Sequence, residues 1–160
     1  MNDFDALLQN VLSQARTIGI PVAPDIDPRV RVNRRAVGRF SCCFLQGGVH
    51  TIELSARLLD APERACRQTL AHEILHTCPD CRNHGPQWRS YAARMNTAWG
   101  YSIARTISPS ELGLPDVRPV RHMVICLSCG KEFPRTRASR LTQHPEHFRC
   151  PCGGKLDLLF

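Results

Sequence analysis

A chain of 160 residues carrying a net charge of +7 has room for one modest domain and a small appendage, because domains of roughly 100 to 150 residues are commonest. No apolar run approaches the roughly 20 residues a bilayer span requires, and the acidic start MNDFDALLQNVLSQ lacks the basic opening and apolar stretch of a secretory signal, so a cytoplasmic protein without a membrane partner is expected. Nine cysteines, an odd count with CxxC spacings, then favour metal binding or thiol chemistry over a disulfide framework.

Phe4 to Ala15 reads as an amphipathic helix, with Leu7, Leu8, Val11, Leu12 and Ala15 at helical spacing, and the prolines of GIPVAPDIDP end it. The runs RVRVN, VGRFSCCFL and VHTIELS are β-branched or aromatic, with QGG as a hairpin turn, and predict three antiparallel strands beside the helices. DAPE predicts a second helix, capped by Asp60 with Glu63 completing a capping-box-like arrangement and running to about Thr77. A third begins at Pro86 with Trp88, Tyr91, Ala92, Met95 and Trp99 on one face, after which SPSELGLPDVRP reads as a linker. These signals divide the chain at 1–114 and 115–160. Residues 117–160 hold eight Lys or Arg against three acids, and residues 1–116 hold thirteen against eleven, so most of the positive excess falls in the last quarter, a weak pointer to a polyanionic partner.

Within LAHEILHTCPDCRNHG, His72 and His76 lie one helical turn apart, so both imidazoles can reach one ion, and Glu73 stands at the edge of that face. His84 is the expected third ligand, returned by the turn-rich CPDCRN. Three neutral histidines leave a zinc ion with an open fourth position for water, which Glu73 as catalytic base can deprotonate for attack on a peptide carbonyl. The bland alternative makes these histidines ordinary polar residues or ligands of a closed site, and three imidazoles also accept manganese or another divalent ion. Cys78 and Cys81 could bind a second zinc, form a redox-sensitive disulfide, occupy the open position, or share the histidine zinc and close it. Cys42, Cys43 and Cys66 suit small buried hydrophobes, with the first two on opposite faces of a strand.

CLSCGKEF and FRCPCGGKL supply two glycine-bearing cysteine knuckles, which predicts a structural zinc held by Cys126, Cys129, Cys150 and Cys152. The second pair is one residue shorter than usual, so His144 or His147 could replace a sulfur. Arg135, Arg137 and Arg140 lie on the arm between the knuckles, read either as a phosphate-contacting surface or as a solvated loop.

With HExxH, the downstream NHGPQW and a C-terminal cysteine ribbon in this order, the chain resembles the SprT-like zinc metalloproteases, the family that includes Spartan. The resemblance covers most of the chain, from the strands before Asp60 to Leu156. It implies His72, His76 and His84 as zinc ligands, Glu73 as base, the four ribbon cysteines as ligands of a second zinc, and cleavage of proteins bound or crosslinked to DNA, with DNA stimulating the reaction. The short connection from His76 to His84, its extra CxxC and the lack of a long tail with partner-binding motifs point to a compact microbial branch, to which proteolysis transfers better than the repair role. The expected fold class is α+β: a small zincin-like domain with three helices and a short antiparallel sheet, then a zinc ribbon. The expected activity is that of a zinc endopeptidase acting on DNA-associated proteins, nucleoid-associated where DNA is bound. A DNA-independent zinc peptidase and a non-enzymatic zinc protein that binds nucleic acid are the alternatives.

Overall fold

The computed structural model describes residues 1–160 and resolves them into two compact units, Met1–Asp116 and Val117–Phe160. The fold is mixed α+β, and no helix is long and apolar enough to cross a membrane.

In the first unit, helix α1 (Phe4–Thr17) starts where the Asp3 side chain accepts from the Ala6 amide, and it buries Phe4, Leu7, Leu8, Val11, Leu12 and Ala15. That stripe follows the 3.6-residue period. Strands β1 (Arg31–Asn33), β2 (Ser41–Gln46) and β3 (Val49–Ser55) form one sheet in the order β1-β3-β2. Gly47 and Gly48 close the β2–β3 hairpin with φ of 58° and 83°, the left-handed pair that a two-residue turn matching the strand twist requires. The expected all-antiparallel sheet is corrected on one side, since β1 runs parallel to β3. Ile52 and Leu54 on β3 point into the core and are fully buried.

Helix α2 (Glu63–Leu75) crosses the middle of this unit, buried on most of its circumference. Its start differs from expectation: Pro62 occupies the capping position without a side-chain bond, and Asp60 is exposed, 4.0 Å from the N-terminal amine. Helix α3 (Pro86–Trp99) packs Trp88, Ala92 and Met95 inward, while Trp99 stays 38% exposed. Beyond it the chain is not a free linker. Tyr101, Ile103 and Leu112 are buried in the same core, and the Asn96 side chain grips Ile103 twice, donating to its carbonyl (3.1 Å) and accepting from its amide (2.8 Å).

The second unit is a sheet in the order β5-β4-β6, from β4 (His122–Cys126), β5 (Glu132–Arg135) and β6 (Leu156–Leu158), with the one-turn helix α4 (Arg140–Gln143) between the knuckles. Its core consists of Val124, Cys126, Cys150 and Leu156, with Phe133 and Leu141 packed against them. So little apolar burial cannot offset the chain entropy of about 45 residues, and a metal staple is the usual remedy.

Candidate metal centre

Helix α2 sets the first part of the centre, because residues four apart stand one above the other on a helix. His72 and His76 bring their Nε2 atoms to 3.3 Å, and His84, returned by the turn before α3, places its Nε2 3.0 Å from that of His72. The ligand atoms of all three lie within 4.8 Å of one another. The remaining ring nitrogens fix the tautomers. Nδ1 of His76 faces the Cys81 carbonyl at 2.7 Å and Nδ1 of His72 faces the Ala104 carbonyl at 3.1 Å. A carbonyl only accepts, so the proton of each ring sits on Nδ1 and Nε2 presents a bare lone pair. Lone pairs facing each other at such distances repel unless a cation lies between them. Nitrogens sharing a tetrahedral zinc at 2.0–2.1 Å stand about 3.3 Å apart, so the donor set fits a divalent ion such as zinc.

Burial enforces the same state. The His72 imidazolium is disfavoured by desolvation first, then by His76 and His84, which takes its pKa down to about 4 against the partial support of the Ala104 carbonyl. His84 is lowered by desolvation first, then by His76 and Arg105. Trp88 forms the floor, its ring 4.8, 5.7 and 4.6 Å from those of His72, His76 and His84 and 1% exposed.

Glu73, 5% exposed, accepts from the Ser41 hydroxyl at 2.5 Å. Burial pushes its pKa up, while the Ser41 bond, the His76 and Arg39 charges and the Cys43 backbone amide pull the other way. The result is a carboxylate oriented by β2 and more basic than one in water. Two cavities meet here, sharing Ser41, His72 and Glu73. One is lined by residues 41–45 of β2, His50, the three histidines and Arg82, the other by Phe40, Gln68, Thr69 and the segment from Ile103 to Ile107.

Cys78 and Cys81 are buried in the core and lie outside the histidine group. Burial pushes Cys78 up to about 12 and raises Cys81, so both remain thiols. Cys43 is likewise pushed up to about 12 by burial and then by Glu73, so no thiolate stands in the cleft wall at neutral pH.

In the second unit the sulfurs of Cys126 and Cys152 lie 3.5 Å apart and those of Cys129 and Cys150 3.6 Å apart, and all four fall within one cluster. That spacing fits thiolates about 3.8 Å apart around zinc at 2.3 Å. The amide of Cys129, and then that of Ser128, point at the Cys126 sulfur and lower its pKa to about 6. His144 and His147 do not join the sulfurs; they form a separate exposed group with Glu146. Arg137 and Arg140 are exposed, whereas Arg135 folds back onto the Pro134 carbonyl at 2.8 Å.

Sequence reasoning passed over three residues here. Ser41, Ala104 and Trp88 reach the centre through tertiary contact, and only Trp88 left a trace, as part of an apolar helix face. It also passed over a run of charge. Arg29, Arg31, Arg34, Arg35 and Arg39 fall within eleven residues that contain no acid, and all five are exposed.

No curated protein matches the chain. The sequence pattern of the SprT-like family matches residues 9–108, which include most of helix α1, helices α2 and α3, the first sheet and all three histidines. Over well more than half of its length, therefore, the chain belongs to the SprT-like family.

Proposed function

We propose that this protein is a metal-dependent endopeptidase in which His72, His76 and His84 hold a zinc ion and Glu73 is the general base. The observation that carries the reading is the convergence of three histidine Nε2 atoms beside a buried, hydroxyl-oriented carboxylate. A zinc ion bound there supplies Lewis acidity and lowers the pKa of its water to about 7.

The chain's own groups do the rest. Glu73, made more basic by burial, takes a proton from the attacking solvent molecule, holds it in a site that Trp88 and α2 keep dry, and delivers it to the leaving amine. Ser41 keeps the carboxylate aimed through both transfers. Strand β2 is an edge strand. Its hairpin closes at the Gln46–Val49 pair, so the alternation of antiparallel pairs turns the backbone groups of Ser41, Cys43 and Leu45 away from β3. The Cys43 amide already faces Glu73, and the remaining groups can pair with an extended substrate segment laid along the cleft, which favours unfolded stretches of protein as substrates.

Replacing the base while keeping the ligands tests the assignment. Glu73→Gln retains bound zinc and loses about 10²- to 10⁴-fold in peptide cleavage. Cleavage at the wild-type rate would remove Glu73 from the mechanism.

The substrate class we assign is protein held on DNA. Family membership, the net charge of +5 over residues 117–160 with exposed Arg137 and Arg140, and the arginine run 29–39 in the first unit support it. Four cysteines, Cys126, Cys129, Cys150 and Cys152, hold a structural zinc in this reading, and the ribbon helps engage DNA through Arg135, Arg137 and Arg140. Because phosphate contacts release counterions, binding to a single-stranded oligonucleotide weakens as log affinity against log salt with a slope of about −0.7 per contact. Single-stranded DNA raises the cleavage rate at low salt and ceases to do so at high salt. A rate indifferent to DNA at every ionic strength would leave a DNA-independent peptidase.

A further inference from the structure

The second cavity beside Glu73 has no part in proton transfer, and its chemistry is unlike that of the first. It encloses 350 Å³, with walls of Phe40, Ile103 and Ile107 and a floor of Gln68 and Thr69 on α2. Several polar groups among these linings are already engaged. Gln68 Oε1 accepts from the Ser102 amide at 2.9 Å, Thr69 Oγ1 donates to the Ala65 carbonyl at 2.7 Å, and the Ala104 carbonyl faces His72. The Arg39 guanidinium is paired with Glu53 at 2.6 Å. Arg105 is exposed. The cavity thus offers mainly methyl, methylene and aromatic surface, with the Arg39 and Arg105 side chains exposed at its rim and Glu73 at its junction with the first cavity, so an apolar side chain gains most by entering it.

Its position fixes which substrate residue it can receive. Ser41, His72 and Glu73 line both cavities, so the reacting carbonyl lies at their junction. The polar cavity follows β2 from Ser41 to Leu45, and the apolar one opens at the other end, beside Phe40 and Ser41. A segment pairing antiparallel with β2, the more stable arrangement, enters from the Leu45 end and leaves over Phe40. We propose that the apolar cavity is the specificity pocket for the side chain immediately following the scissile bond, and that it selects aliphatic or aromatic residues. This inference rests on the peptidase reading and adds to it a substrate class: unfolded segments with an apolar residue on the carboxyl side of the cut.

The test is cleavage of a degenerate peptide library by the full-length, zinc-loaded protein at low salt with single-stranded DNA present, with the new N-termini of the products identified by mass spectrometry. Leu, Ile, Val, Met and Phe are expected at that first position at least about tenfold over Asp, Glu and Lys, the lower end of the discrimination that apolar pockets reach. Ile107→Trp, at the half-buried rim, fills the pocket and shifts the preference toward Ala and Gly; Phe40→Ala widens it and shifts the preference toward the largest side chains. A flat profile at that position in the wild type, a selection seen only on the amino side of the cut, or an unaltered profile in both folded variants overturns the pocket assignment and leaves the peptidase standing. No cleavage of any library member by the wild type removes the peptidase reading and the pocket with it.

Discussion

His72 performs two tasks with one ring. Nε2 faces its two partners and Nδ1 is held by the Ala104 carbonyl, and its depressed pKa makes the centre sensitive to acid. In the unfolded chain the ring titrates near 6.5, in the folded metal-free chain near 4. Between those values the unfolded state binds more protons than the native state, so stability rises with pH across the window. The contribution is fully present above about pH 6.5 and is lost as pH falls toward 4. The melting temperature of the metal-free protein therefore declines over that interval, followed by circular dichroism, and His72→Gln flattens the decline; an equal decline in the variant would place the acid sensitivity elsewhere. The histidines and Glu73 were legible in the sequence because HExxH spacing is local helix geometry. Ser41, 32 residues before Glu73, and Ala104, 32 residues after His72, were not, since a serine in a strand and an alanine in a loop acquire their roles only when the chain folds.

At the scale of elements, hydrophobic period was a better guide than capping chemistry. The stripe of α1 and the inward face of α3 follow the residues that the spacing selects, but Asp60 was credited with a cap that it does not make. Proline at position 62 already fixes the turn geometry, and the chain enters α2 from a 3₁₀ turn that leaves Asp60 outside. The direction of β1 was equally hidden, because alternation of side chains is the same in parallel and antiparallel strands. The segment after α3 looked like a linker for its Pro, Ser and Gly content, yet Leu112 is 1% exposed, and one buried leucine outweighs several turn formers. In the ribbon the cysteine knuckles were readable, and their glycines carry more than turn propensity. A Cβ on Gly154 would lie 2.6 Å from both the Cys126 sulfur and the Ser128 hydroxyl. Gly154→Ala therefore displaces Cys126 and weakens zinc retention by the cysteine cluster about tenfold or more, on the scale of changes to groups that support a ligand; titration with a chromogenic chelator measures it, and unchanged retention would show that the knuckle relaxes without loss.

The whole molecule joins two units with different sources of stability. The first rests on a broad core that runs from Phe4 to Leu112, the second on a small cluster around two cysteines. A strong chelator should consequently unfold Val117–Phe160 and leave Met1–Asp116 folded. Limited proteolysis after chelation then gives early cuts between the two knuckles and a surviving fragment of the first unit, whereas simultaneous loss of both would contradict that division. Counting charge by quarters of the chain placed most of the positive excess in the tail and obscured the run from Arg29 to Arg39. The acids elsewhere in the first unit cancel it in the sum but not in space, since all five arginines are exposed.

The segment from Tyr101 to Ile107 holds one end of His72 through the Ala104 carbonyl and supplies one wall of the apolar cavity through Ile103 and Ile107. In the proposed mechanism, selectivity and ion retention are therefore built from the same few residues and cannot be tuned apart. Lineages or designers that remodel this loop to accept a new cleavage sequence will alter the grip on the cofactor at the same time.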